Sequence, residues 1–251
     1  MTDQFAVDVR NLTKTFGKFT AVDHIDFSVE EGEIFGFLGA NGAGKTTTIR
    51  MLTGILLPNA GEGQVSGFSI MGETEQIKQN IGYMSQKFSL YTDLTVRENL
   101  EFFGGTYGLS NSELAERIGF VTELYSIGNI LDQITGSIPL GWKQRVGLAS
   151  ATIHDPRILF LDEPTSGVDP TARRHFWRTI YQLASREDAS TVFVTTHYLE
   201  EAEYCDRVAI MHQGQILALD TPRNLKEEYN LSNMEDVFVR IIKEREEELA
   251  R

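Results

Sequence analysis

Short β-type runs alternate with helical patterns along most of the chain. Ile25, Phe27 and Val29 share one face of an alternating run, which predicts a half-buried strand. Ile34-Phe35-Gly36-Phe37-Leu38 is a compact apolar run that ends at Gly39, and Ile158 to Leu161 and Thr191 to Val194 are further short apolar or β-branched runs. Runs of that kind predict parallel strands buried on both faces. Ile81 to Met84 predicts one more strand, and His212-Gln213-Gly214-Gln215 supplies a turn signal that predicts a hairpin between Arg207 to Met211 and Gln215 to Leu219.

From about Lys87 to Pro156 the pattern is mostly helical. Thr95 with Glu98 and Ser110 with Glu113 fit capping boxes, each opening a helix. An α/β core with an inserted helical subdomain is the expectation. Near the end, Ser232 with Glu235 predicts a third capping box ahead of Val237, Phe238, Ile241 and Ile242, whose spacing makes one apolar stripe. Such a stripe either packs on its own domain or binds a partner, and the Lys243 to Arg251 run reads as a solvated helix end of mixed charge.

Composition narrows the classes of partner. The 251 residues are 41% hydrophobic and 24% charged, the balance of a globular protein. Against 23 Lys plus Arg stand 36 Asp plus Glu, a net charge of −13, which argues against a nucleic-acid binder because a phosphate backbone demands a basic face. Cys205 is the single cysteine, so no internal disulfide forms and a reducing compartment is expected, with Cys205 as a small core residue. No apolar run approaches the roughly 20 residues of a spanning helix. Met1-Thr2-Asp3-Gln4 lacks the basic start of a signal peptide, so a cytoplasmic protein is expected.

The chemistry concentrates in two motifs. Gly39-Ala40-Asn41-Gly42-Ala43-Gly44-Lys45-Thr46 matches the phosphate-binding loop GxxxxGK[ST], placed between a strand and a helix. Its glycines let backbone N–H groups close around phosphate oxygens, and the following helix offers its positive N-terminus. Lys45 is the expected contact to the β and γ phosphates, Thr46 a ligand of Mg²⁺, and Thr47 a donor near the α-phosphate. Far downstream, Ile158-Leu159-Phe160-Leu161-Asp162-Glu163 is an apolar strand ending in two carboxylates. Asp162 is the expected Mg²⁺ holder and Glu163 the group that polarises an attacking water. His197 follows a predicted strand, where α/β sites gather. A lone histidine is ordinarily structural, as expected for His24, His154, His175 and His212, yet at that place His197 can contact a γ-phosphate. Gln86, after another strand, can join the metal and the nucleophilic water.

With these residues in order, the chain resembles the ATP-binding cassette, the ATPase module of ABC transporters, over roughly Val7 to Leu225. The resemblance implies a P-loop NTPase fold with an antiparallel β subdomain and a helical subdomain at about 87–156, a cassette over 1–230, and a helical tail over 231–251. It implies that Phe16 stacks on adenine and that Gly39, Asn41, Gly42, Ala43, Gly44, Lys45, Thr46 and Thr47 bind the nucleotide. Thr46, Gln86 and Asp162 would serve the magnesium, and Glu163, His197, Gln86 and Lys45 the chemistry. Ser166-Gly167-Val168-Asp169 looks like the loop that crosses to an opposite cassette, with Asp169 its acid.

The family signature, usually LSGGQ, departs here. The slot reads Ile138-Pro139-Leu140-Gly141-Trp142, in which proline removes a hydroxyl and an N–H and Leu140 replaces a glycine. Proline suits a first helical turn, so the helix dipole is expected to survive. The variant is similar to that of bacterial multidrug-type exporters. It is either a working alternative or the mark of a chain that pairs with a different cassette. The resemblance thus implies an ATP-hydrolysing subunit that pairs with a second cassette and drives a separate transmembrane permease, as an exporter, from the cytoplasmic face of the cell membrane. The alternative is a soluble cassette of the translation-factor or DNA-repair kind, but no long coiled-coil insertion and no second cassette is visible.

Overall fold

The computed structural model describes residues 5–185 and 190–249. Met1 to Gln4, and the last two residues of the Lys243 to Arg251 run, lie outside the described residues.

Two sheets form the framework. β1 (Phe5–Phe16) and β2 (Phe19–Glu30) pair antiparallel through a turn at Gly17 and Lys18, with Phe16 opposite Phe19. The predicted alternation holds, since Ile25, Phe27 and Val29 are all buried. β3 (Ile34–Leu38) follows at the centre of the second sheet, and α1 (Lys45–Leu52) leaves from its loop. β4 (Ala60–Val65) and β5 (Phe68–Ser69) then complete the first sheet in the order β2-β1-β4-β5, and α2 (Thr74–Asn80) leads on to β6 (Ile81–Met84).

Three helices come next: α3 (Val96–Thr106), α4 (Asn111–Leu124) and α5 (Leu140–Thr152). Both expected capping boxes are formed. Thr95 and Ser110 each accept from the backbone of Glu98 and Glu113, whose carboxylates accept in return from the cap N–H groups. β7 (Ile158–Asp162), α6 (Pro170–Ala184), β8 (Thr191–Thr196), a 3₁₀ turn over Leu199–Tyr204, β9 (Arg207–His212), β10 (Gln215–Asp220), α7 (Pro222–Glu228) and α8 (Met234–Leu249) complete the chain.

The second sheet has the order β10-β9-β3-β8-β7-β6. Its neighbours run parallel from β9 to β6, and β10 closes the edge as the expected hairpin, with positive φ at Gln213 and Gly214 in the turn. β3, β7 and β8 are buried at every residue, as their unbroken apolar runs require. Alternation within β3 divides the core. Phe35 and Phe37 join Phe27, Phe160 and Phe193 in an aromatic cluster under the antiparallel sheet, with Phe37 and Phe193 centroids 5.1 Å apart. Ile34 and Leu38 face the other way, towards the helices. Cys205 is buried, and burial raises its thiol pKa well above the ordinary range, so it is an inert core residue.

The tail departs from expectation in one detail. Its helix is capped by Asn233, whose Oδ1 accepts from the N–H of Asp236 at 2.8 Å while its Nδ2 donates back to that carboxylate. The cap is therefore Asn233, tied to Asp236 by its side chain, and not the expected box of Ser232 with Glu235. Asparagine caps as well as serine, and a start one residue later brings Met234 into the core beside Val237 and Ile241. The apolar stripe packs on its own chain.

Candidate nucleotide-binding and hydrolytic site

The loop from Gly39 to Gly44 turns tightly between β3 and α1, and the β9–β10 hairpin lies against it. A Cβ at Gly39 would strike the Met211 carbonyl, and one at Gly44, where φ is 111°, would lie 2.5 Å from the Ala21 carbonyl oxygen. Glycine is thus required at both places by close approach, and at Gly44 by the backbone as well. The Gly214 N–H donates to the Ala43 carbonyl at 2.9 Å, fixing the loop to the hairpin turn. The first amides of α1 point out of the loop and offer the donors that an anion needs.

Lys45 opens that helix. Its ammonium donates to the carbonyls of Gly39 at 2.7 Å and Ala40 at 3.1 Å, and lies 3.3 Å from Glu163 Oε1. Burial pulls its pKa below the usual lysine range, opposed by the Glu163 carboxylate. Thr46 Oγ1 donates to Asp162 Oδ1 at 3.0 Å, and Thr195 Oγ1 donates to the same oxygen at 2.8 Å. Asp162 is 3% exposed and takes two hydroxyl donors on one oxygen, with the Lys45 ammonium close enough to interact through charge. One carboxylate and one threonine hydroxyl, both hard oxygen donors, fit Mg²⁺, which ordinarily takes one or two protein ligands and the rest from phosphate and water.

Glu163 is the centre of the arrangement. Its backbone has φ 48°, sparsely populated for a non-glycine residue, and its N–H donates to both the carbonyl (3.1 Å) and the hydroxyl (3.0 Å) of Thr195. That anchorage aims the side chain away from β7, so that Oε2 accepts from Gln86 Nε2 at 3.1 Å and meets His197 Nδ1 at 3.1 Å. Gln86, Lys45, Glu163 and His197 thus come from four separate stretches of sequence and meet on one carboxylate. Such a carboxylate, buried and ringed by groups that can bind phosphate or orient water, can serve as a general base.

A cavity of about 420 Å³ opens over these residues. It is lined by Phe16, Phe19, Asn41, Thr47, Gln86 and Glu163, among others. Phe16 is half exposed and Phe19 is 62% exposed, an arrangement that leaves aromatic faces free for a planar base. Sequence reasoning missed Phe19. Its signal was the spacing Phe16-Gly17-Lys18-Phe19, which sets both rings on one hairpin end. It also missed Thr195, because Asp162 and Thr195 become neighbours only in the register of β7 with β8.

The remaining candidates stand apart from this cavity. Pro139 lies one residue ahead of α5, as its N-cap, with φ −60° and ψ 157°, and not inside the first turn. The extended ψ is the reason, since helical backbone begins only at Leu140. No side chain caps this helix. Asp169 caps α6, accepting from Thr171 N at 2.9 Å and Ala172 N at 3.1 Å, and those backbone donors hold its carboxyl below the usual range. The two helix starts adjoin, since a Cβ at Gly141 would reach Ala172 at 3.4 Å and one at Gly167 would reach Leu140 at 3.5 Å. Trp142 carries the Arg145 guanidinium over its ring at 4.7 Å. Of the other histidines, His154 stacks on Tyr107 and contacts the Ile81 carbonyl at 3.0 Å, while His24 pairs with Asp23 on the surface.

The family profile described as "ABC transporter" matches residues 22–166, and one described as an AAA domain (putative AbiEii toxin, type IV TA system) matches 140–201. The chain is 46% identical over 241 residues to the probable multidrug ABC transporter ATP-binding protein YbhF of Escherichia coli, covering 94% of this chain. It spans only 41% of that relative's length. Against the linearmycin resistance ATP-binding protein LnrL of Bacillus subtilis it is 40% identical over 220 residues, 87% of this chain and 70% of that protein. A solved structure described as the ATP binding subunit of an ABC transporter has a TM-score of 0.84 at 25% identity, covering 94% of this chain and 99% of that one.

Proposed function

Because the chain belongs to the ATP-binding cassette family of ABC transporters, we propose that it hydrolyses ATP to drive a separate transmembrane permease, and that it does so as an exporter subunit. The observation that carries this is Glu163, held at once by Lys45, Gln86 and His197 and adjacent to the buried Asp162.

Phe16 receives the adenine, and the amides from Gly42 to Thr47 take the phosphates. Lys45 exchanges the loop carbonyls and Glu163 for the β and γ phosphates, which frees the Glu163 carboxylate to accept the proton of the attacking water. His197 turns from Glu163 to steady the γ-phosphate, and Gln86 holds the water's orientation. Thr46 and Asp162, with Gln86, would hold Mg²⁺, which would supply neutralisation of the phosphate charge. A second cassette completes the site: the start of its α5, from Pro139 to Trp142, faces the γ-phosphate across the interface, and the loop ending at Asp169 crosses beside it.

Docking of the permease is assigned to the surface beside Gln86. There Tyr91 (48% exposed) and Phe102 (44% exposed) pack edge to face at 4.6 Å, an aromatic patch that a partner would cover. Among the described residues no helix is long and apolar enough to cross a membrane. The relatives are named for multidrug transport and linearmycin resistance, which favours export over the soluble translation-factor or repair reading.

The test is Glu163→Gln. A general base supplies roughly 10²–10⁴ in rate, so ATP hydrolysis by the purified chain should fall by at least 10²-fold with nucleotide binding retained. Activity within about tenfold of the parent removes Glu163 as the base. A pull-down from detergent-solubilised membranes should recover an integral membrane protein; ribosomes or DNA in its place would favour the soluble reading.

A further inference from the structure

Buried beneath the site is a polar cluster that the reaction scheme does not use. Thr165, in the loop that follows Glu163, is fully buried and donates its hydroxyl to Glu201 Oε1 at 2.7 Å. Glu201 lies in the 3₁₀ turn that follows His197 and is itself fully buried. Arg173, from the first turns of α6, brings its Nε to 3.6 Å from the same carboxylate oxygen. Its guanidinium lies over the Tyr198 ring at 3.8 Å, and that ring in turn sits 4.2 Å from the His197 ring. Among the described residues Glu201 Oε2 and Arg173 Nε have no hydrogen-bond partner, so the pair is incompletely satisfied.

Stability alone gives poor reason for such a cluster. A buried carboxylate and a guanidinium four-fifths covered cost desolvation that an apolar pair of equal volume avoids, and Ala202 and Cys205 nearby are ordinary core residues. What the cluster does provide is a link between two segments that carry chemistry. One runs from Glu163 through Thr165 to the Asp169 cap of α6, and the other runs from Thr195 through His197 to Glu201. The Glu163 N–H bonds to Thr195 pin the two segments where they begin, but the reactive side chains of Glu163 and His197 meet through their 3.1 Å contact, which His197 must leave to meet a phosphate.

We propose that Thr165, Glu201 and Arg173 are positioning residues, forming a buried strut that sets the place of His197 relative to Glu163 and couples it to the loop ending at Asp169. The strut rests on the ATPase reading of the site, and it deepens that reading. When the opposite cassette moves the Asp169 loop, the shift passes through Thr165 to Glu201, and through Arg173 on Tyr198, to the His197 ring. The bonds of the strut do not include the Gly39 to Thr47 loop, whose own links run through Lys45 to Glu163 and through Thr46 to Asp162, so loss of the strut is expected to fall on kcat more than on nucleotide binding.

Thr165→Val removes the hydroxyl at constant shape, and Thr165→Ser retains it. For Thr165→Val, kcat for ATP should fall about 10- to 100-fold with KM changed less than threefold, because a misplacement near 1 Å costs on that order. Thr165→Ser should recover most of the loss. Glu201→Gln, which keeps the acceptor but drops the charge that draws Arg173, should fall between them and serves also if Thr165→Val fails to fold. A readout independent of turnover is amide hydrogen exchange over residues 196–204, expected to quicken in Thr165→Val and not in Thr165→Ser. Unchanged exchange, an unchanged kcat, or a KM that rises in step with the fall in kcat each overturns the strut. A parent chain that binds nucleotide without hydrolysing it overturns the ATPase reading, and the exchange measurement then still decides the strut.

Discussion

Lys45 Nζ lies 3.3 Å from Glu163 Oε1, with side-chain exposures of 4% and 9%. The cation proposed to bind phosphate and the carboxylate proposed as base therefore neutralise each other. A phosphate taken up by Lys45 as proposed would have to compete with this pair.

The first prediction follows from that pair. Breaking a buried ion pair leaves one charge uncompensated, at a cost of about 3–5 kcal/mol when nothing else serves it. Here Gln86 and His197 still serve Glu163, so Lys45→Ala should lower unfolding stability by less, about 1–3 kcal/mol, without nucleotide. Combining it with Glu163→Gln should return most of that stability and none of the nucleotide affinity. Urea unfolding of the two single variants and the double variant measures the coupling; additive losses would show that the pair contributes nothing.

A second prediction concerns the departure at the signature. The α5 N-terminus keeps its helical amides and dipole although Pro139 supplies no side-chain cap. We expect a working site, so Pro139→Ser with Leu140→Gly should change ATP hydrolysis less than threefold. One missing charge-assisted phosphate contact is worth roughly 1.5–3 kcal/mol, so a gain of about tenfold or more would reveal a weak site that relies on a different cassette. Steady-state turnover of the purified chain, before and after the change, separates the two.

The reach of the sequence can be stated residue by residue. The Gly39 to Thr46 loop and the Asp162-Glu163 pair were legible because phosphate and metal chemistry demand contiguous residues at fixed spacing. The two capping boxes at Thr95 and Ser110 were legible for the same local reason. Thr195 was not, since its hydroxyl reaches Asp162 only through the register of β7 with β8. Nor was the Thr165 to Glu201 bond, whose partners are 36 residues apart. The Asn233 cap was missed because Ser232 and Asn233 are equally good caps, and burial of Met234 decided between them.

His154 carries a share of the pH dependence of stability. Burial lowers its pKa from 6.5 to about 4, with the Ile81 carbonyl opposing. A histidine whose folded pKa lies below its unfolded value favours the neutral folded form. Its contribution is full above pH 6.5 and is lost as pH falls towards 4, and the shift corresponds to at most about 3 kcal/mol. His154→Phe keeps the stack on Tyr107 but cannot be protonated. It should cost about 1 kcal/mol at pH 7 through the lost bond to Ile81, and its stability should decline less than the parent's between pH 6.5 and 4.5. Parallel declines in urea unfolding across that range would show that His154 is not the titrating group.

Phe16 is assigned to the base on exposure and position, and the assignment has a direct measure. Stacking of a nucleobase on an aromatic ring is worth about 1–3 kcal/mol by alanine substitution, since every base offers a π-face. Phe16→Ala should therefore raise the Kd for ATP by about 5- to 150-fold, and Phe16→Trp should hold it near the parent value or tighten it. The ring is half exposed at a hairpin end, with the Lys14 ammonium 5.4 Å from its centroid, so thermal stability should be nearly unchanged by its removal. Titration with a fluorescent ATP analogue reads the affinity, and titration with inorganic triphosphate supplies the control. Triphosphate has no base to stack, so its affinity should be the same for Phe16→Ala and the parent. A matched loss for both ligands would move Phe16 from base recognition to support of the loop from Gly39 to Gly44.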